Sequence, residues 1–296
     1  MKIVISGRMK LVRWIFTVLF LVICENIKAS DFYYLPVYLQ EGDSCIIAMN
    51  GKSRSAPTRN ASKIDDLVIG EKVYIIESGK QEEMIFGIKA PFCKVRYQKQ
   101  NVWKEAYVWA GLLSLSFSKD KNGMVYAVGV RAFLPDEYSR CVKLGLLLLD
   151  VNHQLLYEQE VFFETGEQSF VESKVLGSMG LTNVKSVFRV GFMGEACGIM
   201  TEYLYYVWTE KEFIQLPSKK SVGDAGIYGY SEELFFPSEH RRGDNLIIIK
   251  QKEYQYEPFE VENQTSYDEL IKVTEEWHRW DGKKVVRLEK KREEEY

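Results

Sequence analysis

Lys52–Glu77, KSRSAPTRNASKIDDLVIGEKVYIIE, decides how this chain reads. Ser53–Ser62 concentrates Ser, Arg, Pro, Thr and Asn, which fix or hydrogen-bond their own backbone and so favour a loop. Leu67-Val68-Ile69 is a short apolar step, and Gly70-Glu71 makes a turn. Lys72-Val73-Tyr74-Ile75-Ile76-Glu77 is β-branched and aromatic, the composition of a strand. A polar loop, a turn and such a strand predict a small β-barrel built for binding, with no hint of catalysis.

The flanking text continues the pattern. Phe92-Cys93-Lys94-Val95-Arg96-Tyr97 alternates apolar with polar, as a half-buried strand does. Glu105-Ala106-Tyr107-Val108-Trp109 does the same, and Ala110-Gly111-Leu112-Leu113 closes the unit. Ser44–Met49 predicts a first strand, and Ser78–Ala90 a polar loop or hairpin tip.

Four pieces in this order resemble the bacterial SH3-like domain. They are Arg54-Ser55-Ala56-Pro57-Thr58, Leu67-Val68-Ile69-Gly70-Glu71-Lys72-Val73, Lys94-Val95-Arg96-Tyr97 and Ala106-Tyr107-Val108-Trp109-Ala110-Gly111-Leu112-Leu113. Each piece alone is weakly specific; their order and spacing carry the resemblance. It covers roughly residues 35–115. Ala106 departs from it, because the family has Gly before the closing Tyr. The resemblance implies a small accessory barrel that binds peptides or cell-wall glycopeptide.

The start of the chain has a different character. Lys2, Arg8, Lys10 and Arg13 precede the apolar run Trp14–Cys24, and Ile27-Lys28-Ala29 precedes Ser30. This three-part layout predicts a signal peptide over residues 1–30, hence export to a periplasm or beyond. The run is shorter than the roughly 20 residues of a membrane span. An uncleaved anchor is the alternative, and so is a lipoprotein at Cys24, although Ile23 stands where a small residue is usual. Membrane association is expected only through that N-terminus.

The 296 residues suit two domains, and a net charge of −3 makes no case for nucleic acid. The boundaries expected are 31–117 for the SH3-like barrel and 118–296 for an antiparallel β domain, a sandwich or propeller-like, with a charged tail. Ser116–Gly123, SFSKDKNG, is the polar step between them and ends in the turn signal Asn-Gly. Met124–Phe133, Cys141–Asp150, Leu155–Phe163, Val184–Met193 and Met200–Trp208 read as strands. Phe170–Met179 is the best short-helix candidate. Glu202–Leu216 and Glu275–Leu288 echo one another, each running strand, Trp, acidic turn, Lys, strand and Leu. Within the second copy, Asp281-Gly282 is a strong hairpin signal. Glu289–Tyr296 reads as a solvated, frayed end.

No catalytic set, metal site or cofactor motif stands out. His153, His240 and His278 lie apart, with no His-x-x-His or Cys-x-x-Cys spacing. No Gly-rich phosphate loop follows a strand. Cys45, Cys93, Cys141 and Cys197 permit two disulfides, or buried thiols. Cys197 is the nearest to a nucleophile, but no Asp precedes it. The expected ligand-binding residues are aromatic and basic: Arg54, Tyr97, Trp103 and Tyr107. Tyr and Trp offer flat faces for peptide or sugar, and Arg54 a fork for a carboxylate. Core packing is the competing role of Trp103 and Trp109.

Two further readings stand beside an exported envelope-binding protein that takes peptidoglycan peptide or an envelope protein. One is a cell-wall hydrolase with an unrecognised Cys/His site. The other is a structural docking or oligomerisation protein.

Overall fold

The computed structural model describes residues 32–135, 140–164, 168–224, 228–256 and 268–295. The signal-like segment lies outside these residues. So do residues 136–139, between the expected strands Met124–Phe133 and Cys141–Asp150, and residues 165–167, which follow the expected strand Leu155–Phe163. The described fold is mainly β, with twenty-one strands and two 3-10 turns.

The first sheet contains β1 (Tyr33–Tyr34), β2 (Ser44–Ile46), β3 (Gly51–Arg54), β4 (Lys63–Leu67), β5 (Lys72–Glu77), β6 (Glu82–Ile85), β7 (Ile88–Lys99) and β8 (Val102–Trp109). Its order is β2-β5-β7-β8-β3-β4, with β1 parallel and β6 antiparallel to β7. The path is open between β2 and β4, so the expected barrel does not close. The alternation read from the sequence is present: Val73, Ile75, Val95 and Tyr97 are buried, and Tyr74 and Arg96 face away. Ser53 and Arg54 belong to β3 rather than to the loop. Ser78–Ala90 holds a hairpin that turns at Phe86-Gly87, whose φ angles are 54° and 74°.

The second sheet is a meander of β9 (Ser114–Lys119), β10 (Val125–Pro135), β11 (Arg140–Leu149) and β12 (Leu155–Glu164), in the order β12-β11-β10-β9. The polar step Ser116–Gly123 is therefore strand and hairpin. Asp120 turns it, its Oδ1 accepting the N–H groups of Asn122 at 2.8 Å and Met124 at 3.0 Å. Strand β11 is an apolar run because both of its faces are covered. Val142, Leu144, Leu146 and Leu148 enter the main core, while Leu147 and Leu149 meet Ile46 and Ala48 of the first sheet's leading segment. Gly129 permits that approach, since a Cβ on it would stand 2.5 Å from the Ala48 methyl.

The third sheet contains β13 (Phe170–Leu176), β14 (Ser186–Met193), β15 (Thr201–Trp208), β16 (Phe213–Gln215), β17 (Lys219–Asp224), β18 (Tyr228–Phe235), β19 (Leu246–Tyr256), β20 (Asp268–Trp280) and β21 (Val285–Glu295). Its order is β13-β14-β15-β17-β18-β19-β20-β21, with β16 on β15. The helix expected at Phe170–Met179 is strand β13, paired with β14 from Phe170↔Met193 to Leu176↔Val187. A continuous ladder outweighs an ambiguous local period. The tail expected to fray is the edge strand β21, in register with β20 as far as Lys272↔Glu295.

Sheets two and three pack face to face through aromatic rings. Phe163 stacks on Phe192 at 3.9 Å, and Tyr126 meets Phe188 at 5.6 Å. One apolar cluster runs from Tyr33, Val95 and Leu113 through Leu146 to Phe188 and Phe213. The two echoing hairpins are both present, but their tryptophans serve different cores. Trp208 packs with Tyr157 and Phe213, each at 5.0 Å, in the main cluster. Trp280 joins Val187, Tyr205 and Ile247 in a second cluster, donating its Nε1–H to the Thr182 carbonyl at 2.8 Å.

Candidate functional site: an aromatic groove on the first sheet

Tyr74 of β5, Arg96 of β7 and Glu105 of β8 are direct cross-strand neighbours. They form a row on the face opposite the core. Trp103 stands beside the row, 55% exposed, with its ring centroid 6.0 Å from that of Tyr74. Position parity puts it there. The turn at Gln100-Asn101, with φ of 51° and 63°, pairs Gln98 with Trp103 and Tyr97 with Lys104. Trp103 therefore shares the outer face with Gln98, Arg96 and Glu105. The far wall is the turn at Glu41-Gly42, held by the Gly42 N–H on the Ile75 carbonyl at 3.0 Å. The result is a groove of about 680 Å³.

Charges in the groove are ordered. Arg96 Nη2 is 2.9 Å from Glu105 Oε1, and Lys94 Nζ is 3.1 Å from Glu105 Oε2. The hydrogen bond from Arg96, then that from Lys94, holds the Glu105 carboxyl below its ordinary value. Arg96 spends Nε and Nη2 on Glu105, which leaves the Nη1 donors for a guest. Lys72 Nζ lies 4.8 Å from the centre of the Tyr74 ring. The groove thus offers two aromatic faces, a guanidinium and the exposed carboxylate of Glu41.

Of the four residues expected to bind ligand, Trp103 alone lines this groove. Tyr97 is corrected to a core residue. It is 1% exposed, and its hydroxyl lies 2.8 Å from Ser53 Oγ and donates to Asp65 Oδ2 at 2.7 Å. Arg54 organises its own loop, with Nη1 donating to the Ala61 carbonyl at 2.9 Å. Tyr107 is half-buried against the main core, paired with Arg54 across β8 and β3. Trp109 is a core residue, its Nε1–H on the Glu83 carbonyl at 3.2 Å. The sequence reading missed Tyr74, Arg96 and Glu105. Their signal was available: each alternates with a buried Val or Ala.

Burial, then Asp43 and Cys93, pushes the Cys45 thiol up to about 12, and burial also raises Cys93. Cys45, Cys93 and Cys197 are free thiols, and Cys197 is exposed. Cys197 borders a groove of about 560 Å³ with Thr201, Asp224, Tyr230 and Tyr254. His240 Nε2 pairs with the Leu246 carbonyl at 2.9 Å, while burial lowers the pKa of His153 and His278. Among the described residues, no three His, Cys, Asp or Glu are grouped to hold a metal, and no helix is long and apolar enough to cross a membrane. A further groove, of about 780 Å³, runs between Pro36–Leu39, β2, β9 and β13. Its wall hydroxyl Ser116 Oγ is already paired, at 2.9 Å from Ser173 Oγ. Comparison with known proteins finds no matching family model, no matching curated protein and no matching solved structure.

Proposed function

We propose that this chain is an exported, non-catalytic binding protein of the cell envelope whose Trp103 groove takes an extended peptide, the stem peptide of peptidoglycan or a segment of an envelope protein. The observation that carries this reading is the exposed Trp103 ring beside the half-buried Tyr74 ring and Arg96 in one groove. Flat rings with polar handles hold peptide planes and side chains at small entropic cost. The unspent Arg96 donors suit a carboxylate, and Glu41 suits an amine, so a peptide bearing both charges is favoured. The order of SH3-like motifs and the signal-like start support the same reading.

The test is co-sedimentation of chain 31–296 with purified sacculi and titration with isolated stem peptide. Trp103→Ala and Arg96→Gln should each weaken binding by about tenfold, the size of one lost aromatic anchor or charged contact. Arg54→Ala should bind normally. Equal binding by wild type and Trp103→Ala would overturn the assignment of the groove. New termini released from muropeptides would move the protein to the hydrolase class.

A further inference from the structure

Two sheets end at one groove. Strand β9 terminates the second sheet, paired with β10, and β13 terminates the third, paired with β14. A terminal strand turns every second N–H and C=O away from its own sheet. Ser116 Oγ meets Ser173 Oγ at 2.9 Å, but among the described residues no backbone hydrogen bond joins β9 to β13. Residues 114–117 and 169–171 of these strands line the groove of about 780 Å³. Successive side chains point to opposite faces of a strand, so a groove that touches three or four residues in a row is open to the strand's edge. The edge of β9 is partly taken by the first sheet, since Ile47 bridges Leu113 and Ser114 Oγ accepts the Ile46 N–H at 3.3 Å. Among the described residues no strand takes the outer edge of β13 in this way. Residues 36–39 form a further wall, and the N–H groups of Tyr38 and Leu39 have no partner among the described residues.

The lining has an apolar floor and a charge of one sign. Cys45 is 5% exposed, and Leu115 and Val171 are each 8% exposed. The charged residues are Asp43 and Glu195, both exposed, and no Lys or Arg lines the groove. Asp43 Oδ2 accepts the Gln40 N–H at 2.7 Å, and neither carboxylate is in an ion pair among the described residues. We propose that this groove takes an extended peptide of alternating aliphatic and basic residues, laid along the edge of β13 as an added strand. The unpaired backbone sets the mode, since ladder hydrogen bonds hold the main chain of a guest strand. Its period of two sets the pattern: aliphatic side chains face Leu115 and Val171, and the Lys or Arg side chains between them reach Asp43 and Glu195. The two unpaired carboxylates select a cationic guest over an acidic one. This surface is separate from the Trp103 groove, because the turn at Gln40–Asp43 gives Glu41 and Gly42 to that groove and Asp43 to this one. The inference does not rest on the function proposed for the Trp103 groove.

The test uses the full chain carrying Trp103→Ala, so that the first groove is silent. It is titrated with a fluorescein-labelled peptide of alternating Val and Lys, blocked at both ends, and read by fluorescence anisotropy. Saturable binding is expected, and the same peptide with Glu in place of Lys should not bind. All Val N–H groups of an extended peptide point to one side and all Lys N–H groups to the other. Methylating one of the two sets of backbone nitrogens should therefore weaken binding at least about tenfold, by removing the ladder donors, and methylating the other should change it little. Asp43→Asn and Glu195→Gln should each weaken binding about threefold and together about tenfold, as exposed charge pairs do, with the melting curve unchanged. No saturable binding of the Val-Lys peptide, equal binding of the Val-Glu peptide, full affinity in the double variant, or indifference to both methylations would overturn the inference. A dimer of the chain that dissociates on combining Asp43→Asn with Glu195→Gln would overturn it as well, by making the groove a contact between copies.

Discussion

Tyr97→Phe removes one oxygen from the best-connected polar cluster in the first sheet. The Tyr97 hydroxyl lies 2.8 Å from Ser53 Oγ and 2.7 Å from Asp65 Oδ2, and Lys104 Nζ approaches both Asp65 oxygens at 2.9 Å. Phe fills the same space, so the change deletes hydrogen bonds and leaves no cavity. A hydrogen bond to a charged group contributes about 1.5–3 kcal/mol. Asp65 keeps Lys104 and some water, so the loss should sit near the low end, about 2 kcal/mol. In a chain of this size that lowers the melting temperature by about 5 °C.

The pH dependence has a definite sign. Hydrogen bonds from Lys104 first, then Tyr97, hold the Asp65 carboxyl below its ordinary value. A depressed carboxyl contributes stability above its unfolded pKa and loses it as pH falls through the folded one. Burial pushes Tyr97 itself up to about 12, so it stays a phenol donor throughout. The deficit of Tyr97→Phe should therefore be full near neutral pH and shrink below the ordinary Asp range. Urea unfolding of wild type and variant at a series of pH values, with Asp65→Asn as the second arm of a double-mutant cycle, measures this. A deficit that is constant with pH, or that adds simply to that of Asp65→Asn, would refute the reasoning.

Gly70→Ala should be among the most damaging small substitutions. The residue has φ of +98°, and a Cβ there would lie 2.0 Å from the His153 carbonyl oxygen, so the β4–β5 turn and the β11–β12 turn would be driven apart. A loss of about 3 kcal/mol or more in denaturant titration is expected, combining left-handed strain with a backbone clash. In chain 31–296 at pH 8, a thiol reagent should modify Cys197 rapidly, and Cys45 and Cys93 only after unfolding, because both are buried and their pKa values are raised. Rapid native labelling of Cys45 would contradict the packing of β2 on β5.

Much of the architecture was legible because local chemistry specifies local elements. The β-branched run Lys72–Glu77 is a strand, Gly70 a left-handed turn and Asp281-Gly282 a hairpin, with Asp281 Oδ1 accepting the N–H groups of Lys283 and Lys284 at 2.8 Å. The apolar run read as a strand is buried on both faces from Leu144 to Leu149. By itself, then, the sequence determined a mainly β chain, most of its strands and several of its turns.

Only the tertiary structure decided how those strands meet. Phe170–Leu176 has no period of its own and becomes a strand because β14 offers it a ladder. The first sheet stays open, with β2 at one end of its path and β4 at the other. Trp208 and Trp280 occupy like places in like hairpins yet enter different cores. In the site, Tyr97 and Trp103 are equally aromatic and lie on adjacent strands, but the Gln100-Asn101 turn sends one inward to Asp65 and the other out beside Tyr74. Composition cannot tell such residues apart, because side chains alternate with a period of two and a single-residue change of register exchanges the faces. The groove is a property of strand pairing, and pairing is fixed by contacts between residues distant in the chain.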